Sequence, residues 1–202
     1  MGEGLLSQTG GGNEPAFFHV RMILGVITSL AMARILTGLA RFVQTRNREE
    51  IYTVHILWSV SLFIFVMHFW WFEFVLGNVE RWPFEFYAFL ILFAALHFFI
   101  SALLLPDKLD EGETYEKYFH RQRTWFFALF VLLIAFDTVD SILKGQAYFA
   151  TLGLPYLMRQ ALFVLIALMA IRTDNRSFHL FAVIFVLAAQ LWWVGARYAV
   201  LV

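Results

Sequence analysis

Two carboxylates stand in a strongly apolar stretch of the chain, VLLIAFDTVDSILKG at residues 131–145. Asp137 and Asp140 are three residues apart, so a helix would place them on one face. Close carboxylates disfavour each other's charge, and one of the two then tends to hold a proton or to bind a cation. The pair is therefore a candidate ion-binding or solute-binding site.

An arginine in the next apolar stretch is placed to pair with these acids. Arg159 lies roughly 8 Å into that stretch at 1.5 Å per residue, so it can reach Asp137, Asp140 or both if the two helices are antiparallel. Two interpretations stay open, an ion pair that fixes helix packing and a binding site with a spare carboxylate. Glu73 and Glu85 flank another connection and could extend such a site, although acids so near a helix end commonly reach water.

Histidines form a second set of polar residues in apolar stretches. His55 and His68 lie on one stretch and His97 on the next. A haem b would need two axial ligands at matching depth, and the sequence offers no level pair. We expect His68 and His97 each to form a hydrogen bond between helices, with a proton relay as the alternative. No clustered metal ligands appear, so neither a metal nor any other cofactor is predicted.

One further ionisable residue lies inside an apolar stretch near the first connection. Arg34 precedes Thr37 and Arg41 on nearly the same helix face. We expect its long side chain to extend toward lipid phosphate, with an anion-binding role as the alternative. The sequence contains no glycine loop for phosphates and no nucleophile elbow, and no catalytic residue is predicted.

The composition requires these residues to be positioned by helices in a lipid bilayer. Of 202 residues, 61% are hydrophobic and only 15% are charged, which leaves too few polar side chains to cover a water-facing surface. The mean hydropathy is +0.71. The formal net charge is zero, so the basic excess typical of nucleic-acid binding is missing.

Six apolar runs are long enough to cross about 30 Å of hydrocarbon as helices. They predict an all-α, polytopic domain over residues 17–202 that follows a disordered, glycine-rich lead-in at residues 1–16. A long charged connection covers residues 106–124. The predicted spans are residues 17–43, 52–76, 84–105, 123–143, 154–172 and 177–200.

Lysine and arginine are unevenly divided between the two sets of connections. The connections after the first, third and fifth spans are rich in them, while those after the second and fourth hold only Arg81 and Lys144. The positive-inside rule then makes connection 106–124 cytoplasmic and places both termini outside. If the two halves are related, they form an inverted three-plus-three repeat, as in many transporters.

Several tracts resemble those of small six-span bacterial inner-membrane proteins. These are ARILTGLARF (33–42), HILWSVSLFIFVMHFWWFEF (55–74), YFHRQRTWFFALF (118–130) and DTVDSILKG (137–145). The resemblance implies a multi-pass protein of the bacterial inner (plasma) membrane and carries no particular activity.

The leading functional hypothesis is a transport protein, a channel or carrier for protons, small cations or a small solute. The alternatives are a membrane-embedded enzyme or binder of lipid, haem or another hydrophobic ligand, and a non-catalytic subunit or sensor. The sequence leans against an enzyme. We expect membrane lipids as partners and a homo-oligomer, because six helices leave room for only a narrow internal path.

Overall fold

The computed structural model describes residues 14–44, 51–73, 76 and 83–198. Within those residues the protein is all-α, without strands, and has six helices long and apolar enough to cross a membrane. This confirms the predicted fold class and fits a multi-pass integral membrane protein. The helices are α1 (Glu14–Gln44), α2 (Thr53–Phe72), α3 (Phe84–Leu104), α4 (Tyr115–Leu143), α5 (Gln146–Arg172) and α6 (Arg176–Tyr198).

A lead-in is predicted for residues 1–16, and its first thirteen residues lie outside the described part of the chain. Helix α1 begins at Glu14. Residues 199–202 are outside them too. The predicted sides of the termini remain predictions, since helices alone do not show which end faces the cytoplasm.

Local chemistry sets several helix ends. Leu105 precedes a proline, which disfavours helical geometry, and α3 ends one residue earlier. The hydroxyl of Thr114 accepts a hydrogen bond from the backbone N–H of Lys117 at 3.3 Å, which caps the start of α4. From there α4 continues unbroken to Leu143, so the second half of connection 106–124 is the first part of a spanning helix.

One helix contains a break. Gly153 in α5 has φ +66°, a backbone conformation that glycine adopts without strain. Pro155 follows at the start of the second segment, where a missing N–H costs no helical hydrogen bond. Helix α5 therefore consists of two segments, a first that begins at Gln146 and a second that begins beyond Gly153.

The second helix lies at the centre of the bundle, where it packs against α1, α3, α4 and α6. Its fully buried Trp58 contacts three rings of α4 edge-on, with centroid separations of 5.2 to 5.4 Å. These contacts involve Phe126, Phe127 and Phe130. In the first half α1 packs along α3, whereas in the second half α4 packs along α5. The inverted repeat stays a prediction.

Successive helices run in opposite directions, so the bundle has two ends. We call one the Asp107 end, where α1, α3 and α5 finish, and the other the Lys144 end, where α2 and α4 finish. At the Asp107 end α1 approaches the end of α3 so closely that a Cβ at Gly38 would lie 2.6 Å from a methyl carbon of Leu105. A side chain there would therefore require the Leu105 side chain to move.

Candidate functional site

A group of polar side chains lies between α2, α4 and α5 at the Lys144 end, and most of these side chains are buried. We call it the polar cluster. Its members are Glu73, Asp137, Asp140, Ser141, Lys144, Tyr156, Arg159 and Gln160.

A lysine bridges two acids in one part of the cluster. The Lys144 Nζ lies 2.5 Å from Asp140 Oδ2 and 3.3 Å from Glu73 Oε1. The Lys144 side chain is fully buried, Glu73 is 1% exposed and Asp140 5%. Burial alone would lower the pKa of Lys144, but Asp140 and Glu73 outweigh burial and raise that pKa. The two carboxylates therefore favour the charged form of the ammonium.

The other predicted acid has different partners. Asp137 Oδ2 accepts hydrogen bonds from the Tyr156 hydroxyl at 2.8 Å and from the side-chain amide of Gln160. Arg159 Nη2 lies 3.9 Å from the same oxygen. The arginine therefore faces Asp137, as the sequence predicts for one or both acids, while Asp140 is paired with Lys144 instead.

Aromatic rings surround the arginine. The Arg159 guanidinium carbon lies 4.5 Å from the ring centroid of Trp193, 5.4 Å from Tyr156 and 5.7 Å from Phe163. The faces of such rings attract a cation, more strongly where water is excluded. The Arg159 side chain is 9% exposed, so the rings replace part of the hydration that the guanidinium loses.

Hydroxyl and amide groups join the two parts of the cluster. The Tyr156 hydroxyl lies 3.1 Å from Ser141 Oγ and accepts a hydrogen bond of 2.9 Å from Gln160. Ser141 is next to Asp140 in the chain, and Tyr156 also donates to Asp137. A chain of hydrogen-bonding groups thus runs from one aspartate toward the other.

The charges of the cluster do not balance. Glu73, Asp137 and Asp140 are three carboxylates, and only Lys144 and Arg159 oppose them within 4 Å among the described residues. Glu73 Oε2 and Asp140 Oδ1 are buried and have no hydrogen-bond partner within that part of the chain. With every group ionised, one negative charge is left uncompensated in a region of low dielectric.

The sequence analysis missed four members of the cluster. Lys144 was counted as a residue of an outer connection, although its spacing of four from Asp140 indicates a pair on one helix face. Ser141 follows Asp140 directly, and the sequence predicts no role for it. Tyr156 and Gln160 stand in α5 three residues before and one after the predicted Arg159, and no sequence signal distinguishes them from ordinary polar residues of a span.

Glu85, the last acid predicted for the site, lies apart from the cluster. It stands exposed in the first turn of α3. No hydrogen bond or ion pair within the described ranges connects it to the cluster. The possibility that Glu85 extends the binding site stays a prediction.

The three predicted histidines are not gathered into one site. His97 is buried and its Nδ1 lies 2.9 Å from the Phe93 carbonyl of its own helix, where a bond between helices was expected. His55 packs at the other end of α2 against Phe42 and Tyr115. His68 lines a cleft between α2 and α6 of about 380 Å³.

No group of three or more His, Cys, Asp or Glu that could hold a metal occurs in the ranges the structure covers. Haem b remains a prediction without a structural test.

Arg34 has a protein partner, which corrects the expectation that it extends to lipid phosphate. Its guanidinium is paired with the Asp107 carboxylate and donates to the Leu105 carbonyl at 2.6 Å. Arg41 donates to the carbonyls of Pro106 and Asp107 at 2.8 Å each. Both arginines therefore hold the chain directly after α3, where Pro106 has ended the helix and the carbonyls of residues 105 to 107 are outside it.

Comparison with models of known protein families, with curated proteins and with solved structures gave no significant match. The function is therefore argued from the geometry of the cluster.

Proposed function

We propose that the protein is a membrane transport protein, a channel or carrier in which the polar cluster binds a proton or a small cation during transport. The observation that carries this proposal is the uncompensated carboxylate. Two buried acids, Glu73 and Asp140, and the partly exposed Asp137 share two cations, and two oxygens of the buried pair have no hydrogen-bond partner within the described residues.

A buried charge without a counter-ion costs several kcal/mol. Binding one proton or one monovalent cation removes that cost, so the cluster can bind one additional positive charge. Glu73 and Asp140 are the acids that can bind it. Each has one oxygen in contact with Lys144 and one without a hydrogen-bond partner in the described part of the chain. A site that gains and loses one positive charge inside a membrane is the elementary requirement of ion-coupled transport.

The interruption of α5 supports the same function. Many transporters bind substrate and coupling ions where a spanning helix is broken, because the positive end of a half-helix and freed backbone groups face the site. The second segment of α5 starts beyond Gly153, and its first turns carry Tyr156, Arg159 and Gln160. Two of these side chains hydrogen-bond Asp137, and the third faces it as a counter-ion.

A purely structural cluster makes the opposite prediction for one substitution. In that case Glu73 stabilises the packing of α2 against α4 through Lys144, and its removal would weaken the fold. In a proton or cation site, Glu73→Gln makes the cluster electroneutral. The site for an additional positive charge then disappears while the fold keeps or gains stability.

The test is ion flux into liposomes that contain the purified protein, driven by gradients of protons, sodium or potassium. We expect Glu73→Gln to reduce the flux at least about tenfold, the equivalent of roughly 1.4 kcal/mol on the transport barrier, without lowering the thermal unfolding midpoint. Glu111→Gln, which removes an exposed acid at the other end, serves as the matched control. Asp137→Asn should also change the flux.

Wild-type protein that passes none of these ions, or a flux indifferent to Glu73 and Asp137, would contradict the proposal. The two alternatives predicted from the sequence have their own signatures. A binder of lipid or haem would co-purify with its ligand, and a subunit or sensor would co-purify with a specific protein.

A further inference from the structure

A groove between α4 and α5 lies on the outer surface of the bundle and ends at the polar cluster. Its volume is about 620 Å³. Apolar side chains line it, among them Val131, Ala135 and Leu168, and its two polar lining residues are Thr138 and Gln160. Gln160 and Leu168 are eight residues apart, which corresponds to roughly 12 Å of helix. An apolar chain of about ten carbons matches that length.

Gln160 connects this groove to the cluster and leaves one acceptor unused. Its amide nitrogen must face Asp137 because an ionised carboxylate only accepts hydrogen bonds. The same nitrogen lies 2.9 Å from the Tyr156 hydroxyl. Its carbonyl oxygen is then left without a hydrogen-bond partner within the described residues, on a residue only 6% exposed. Buried polar atoms in this position are rare unless a ligand or water satisfies them.

The groove and the Gln160 carbonyl oxygen together indicate which class of ligand would bind. An unused carbonyl oxygen needs an N–H or O–H donor, and the net negative cluster behind Asp137 favours a positive charge. The lipid-facing groove needs an apolar body. We infer that the groove binds an amphiphilic ammonium whose charged head donates to Gln160 beside Asp137 and whose alkyl chain lies along α4 and α5.

This inference rests on the proposed function and names a substrate class for the same site. The uncompensated carboxylate lies at Glu73 and Asp140, whereas the ammonium binds beside Asp137, so its positive charge acts on the same cluster from a neighbouring position. That charge should disfavour a proton on Glu73 or Asp140, and binding of the ammonium should release up to one proton per protein. A neutral lipid tail would fill the groove but would leave both the charge and the Gln160 oxygen unsatisfied.

The test uses the full chain in nanodiscs of zwitterionic lipid with radiolabelled decylammonium as the probe. We expect saturable binding of one decylammonium per protein above the amount held by empty nanodiscs. Decanol, which has the same chain without the charge, should show no saturable binding. Equal binding of both probes would identify an ordinary lipid groove and overturn the inference.

Two variants and one control locate the site. Ala135→Phe fills the groove from an exposed position on α4, and Gln160→Met removes the acceptor at similar volume. Each should weaken decylammonium binding about tenfold or more, the effect of losing one charge-assisted hydrogen bond or the space for the chain. Ala128→Phe lies two turns earlier on α4, also exposed but outside the groove lining, and should bind as the wild type does.

Binding and flux separate the two proposals. If Glu73-dependent ion flux is present but decylammonium binds no tighter than decanol, the inference fails while the transport function stands. If saturable decylammonium binding is lost in Ala135→Phe but no ion passes, the transport function fails and the groove is a binding site only.

Discussion

The two ends of the bundle use the same kinds of ion pair in opposite environments. At the Asp107 end, Arg34 and Arg41 share Asp107, whose side chain is 74% exposed. At the Lys144 end, Lys144 is shared by Glu73 and Asp140, and these three side chains are 0% to 5% exposed. Two cations share one acid at the first end, and two acids share one cation at the second.

The environment decides what each arrangement can do. Water and salt screen the exposed pairs, so their charges need not balance and they contribute little to stability. The buried pairs have no such screening. An unbalanced charge there has to be neutralised by a proton or a cation, or removed from the low-dielectric region by a structural change. This difference is the reason why the proposed function is assigned to the Lys144 end and not to the Asp107 end.

Removing the buried cation should give the largest effect. Lys144→Met leaves Glu73 and Asp140 buried without their counter-ion and should lower the free energy of unfolding by about 3 to 5 kcal/mol. Chemical denaturation in detergent measures it. Lys108→Met, at an exposed position of the Asp107 end, is the matched control and should change stability little.

A second substitution sharpens that comparison. Adding Glu73→Gln to Lys144→Met removes one of the two stranded carboxylates, so part of the lost stability should return. Equal losses for Lys144→Met and Lys108→Met would show that the two ends do not differ in the way proposed.

Removing the hydroxyl of a tyrosine at either end should lower the free energy of unfolding by an intermediate amount. The Tyr156 hydroxyl donates to the Asp137 carboxylate at 2.8 Å, whereas the Tyr118 hydroxyl donates to the Leu103 carbonyl at 2.7 Å near the Asp107 end. Tyr156→Phe should cost about 1.5 to 3 kcal/mol, because a hydrogen bond to a charged group is lost, and Tyr118→Phe about 0.5 to 1.5 kcal/mol. Thermal unfolding of both variants under one condition makes the comparison, and a larger cost for Tyr118→Phe would reverse it.

The smallest effect concerns pH at the Asp107 end. Hydrogen bonds from Arg34 and then Arg41 hold the pKa of Asp107 below its ordinary value of 3.8. A carboxyl with a lowered pKa stabilises the folded state above its unfolded pKa, and that stability is lost as pH falls through the folded value. A slight loss of stability below about pH 4 should therefore be absent in Asp107→Asn. The measurement is the thermal unfolding midpoint of the wild type and of Asp107→Asn as a function of pH. The same loss of stability below about pH 4 in both proteins would contradict this assignment.

Much of the fold and part of the site could be predicted from the sequence. The apolar runs predict six spanning helices because the length of hydrocarbon to be crossed sets the length of each run. The pairing of Asp137 with Arg159 follows from equal depth in adjacent helices. Helices α4 and α5 start before the predicted spans 123–143 and 154–172, since residues 115–122 and 146–153 are helical too. A short interfacial helix running into the fourth span was compatible with the sequence of 106–124, whereas the Gly and Thr residues of 146–153 are typical of a connection.

The sequence by itself determined that this protein folds in a lipid bilayer and which acids need a counter-ion there, because hydropathy and charge are properties of single residues. The tertiary structure alone decided which lysine or arginine pairs with which acid. Lys144 bridges Glu73 and Asp140 because α2 and α4 end side by side, and Gln160 meets Asp137 because α5 packs along α4. Such pairings depend on helix rotation and neighbour choice, which a hydrophobic pattern nearly uniform around α2, α4 and α5 leaves open.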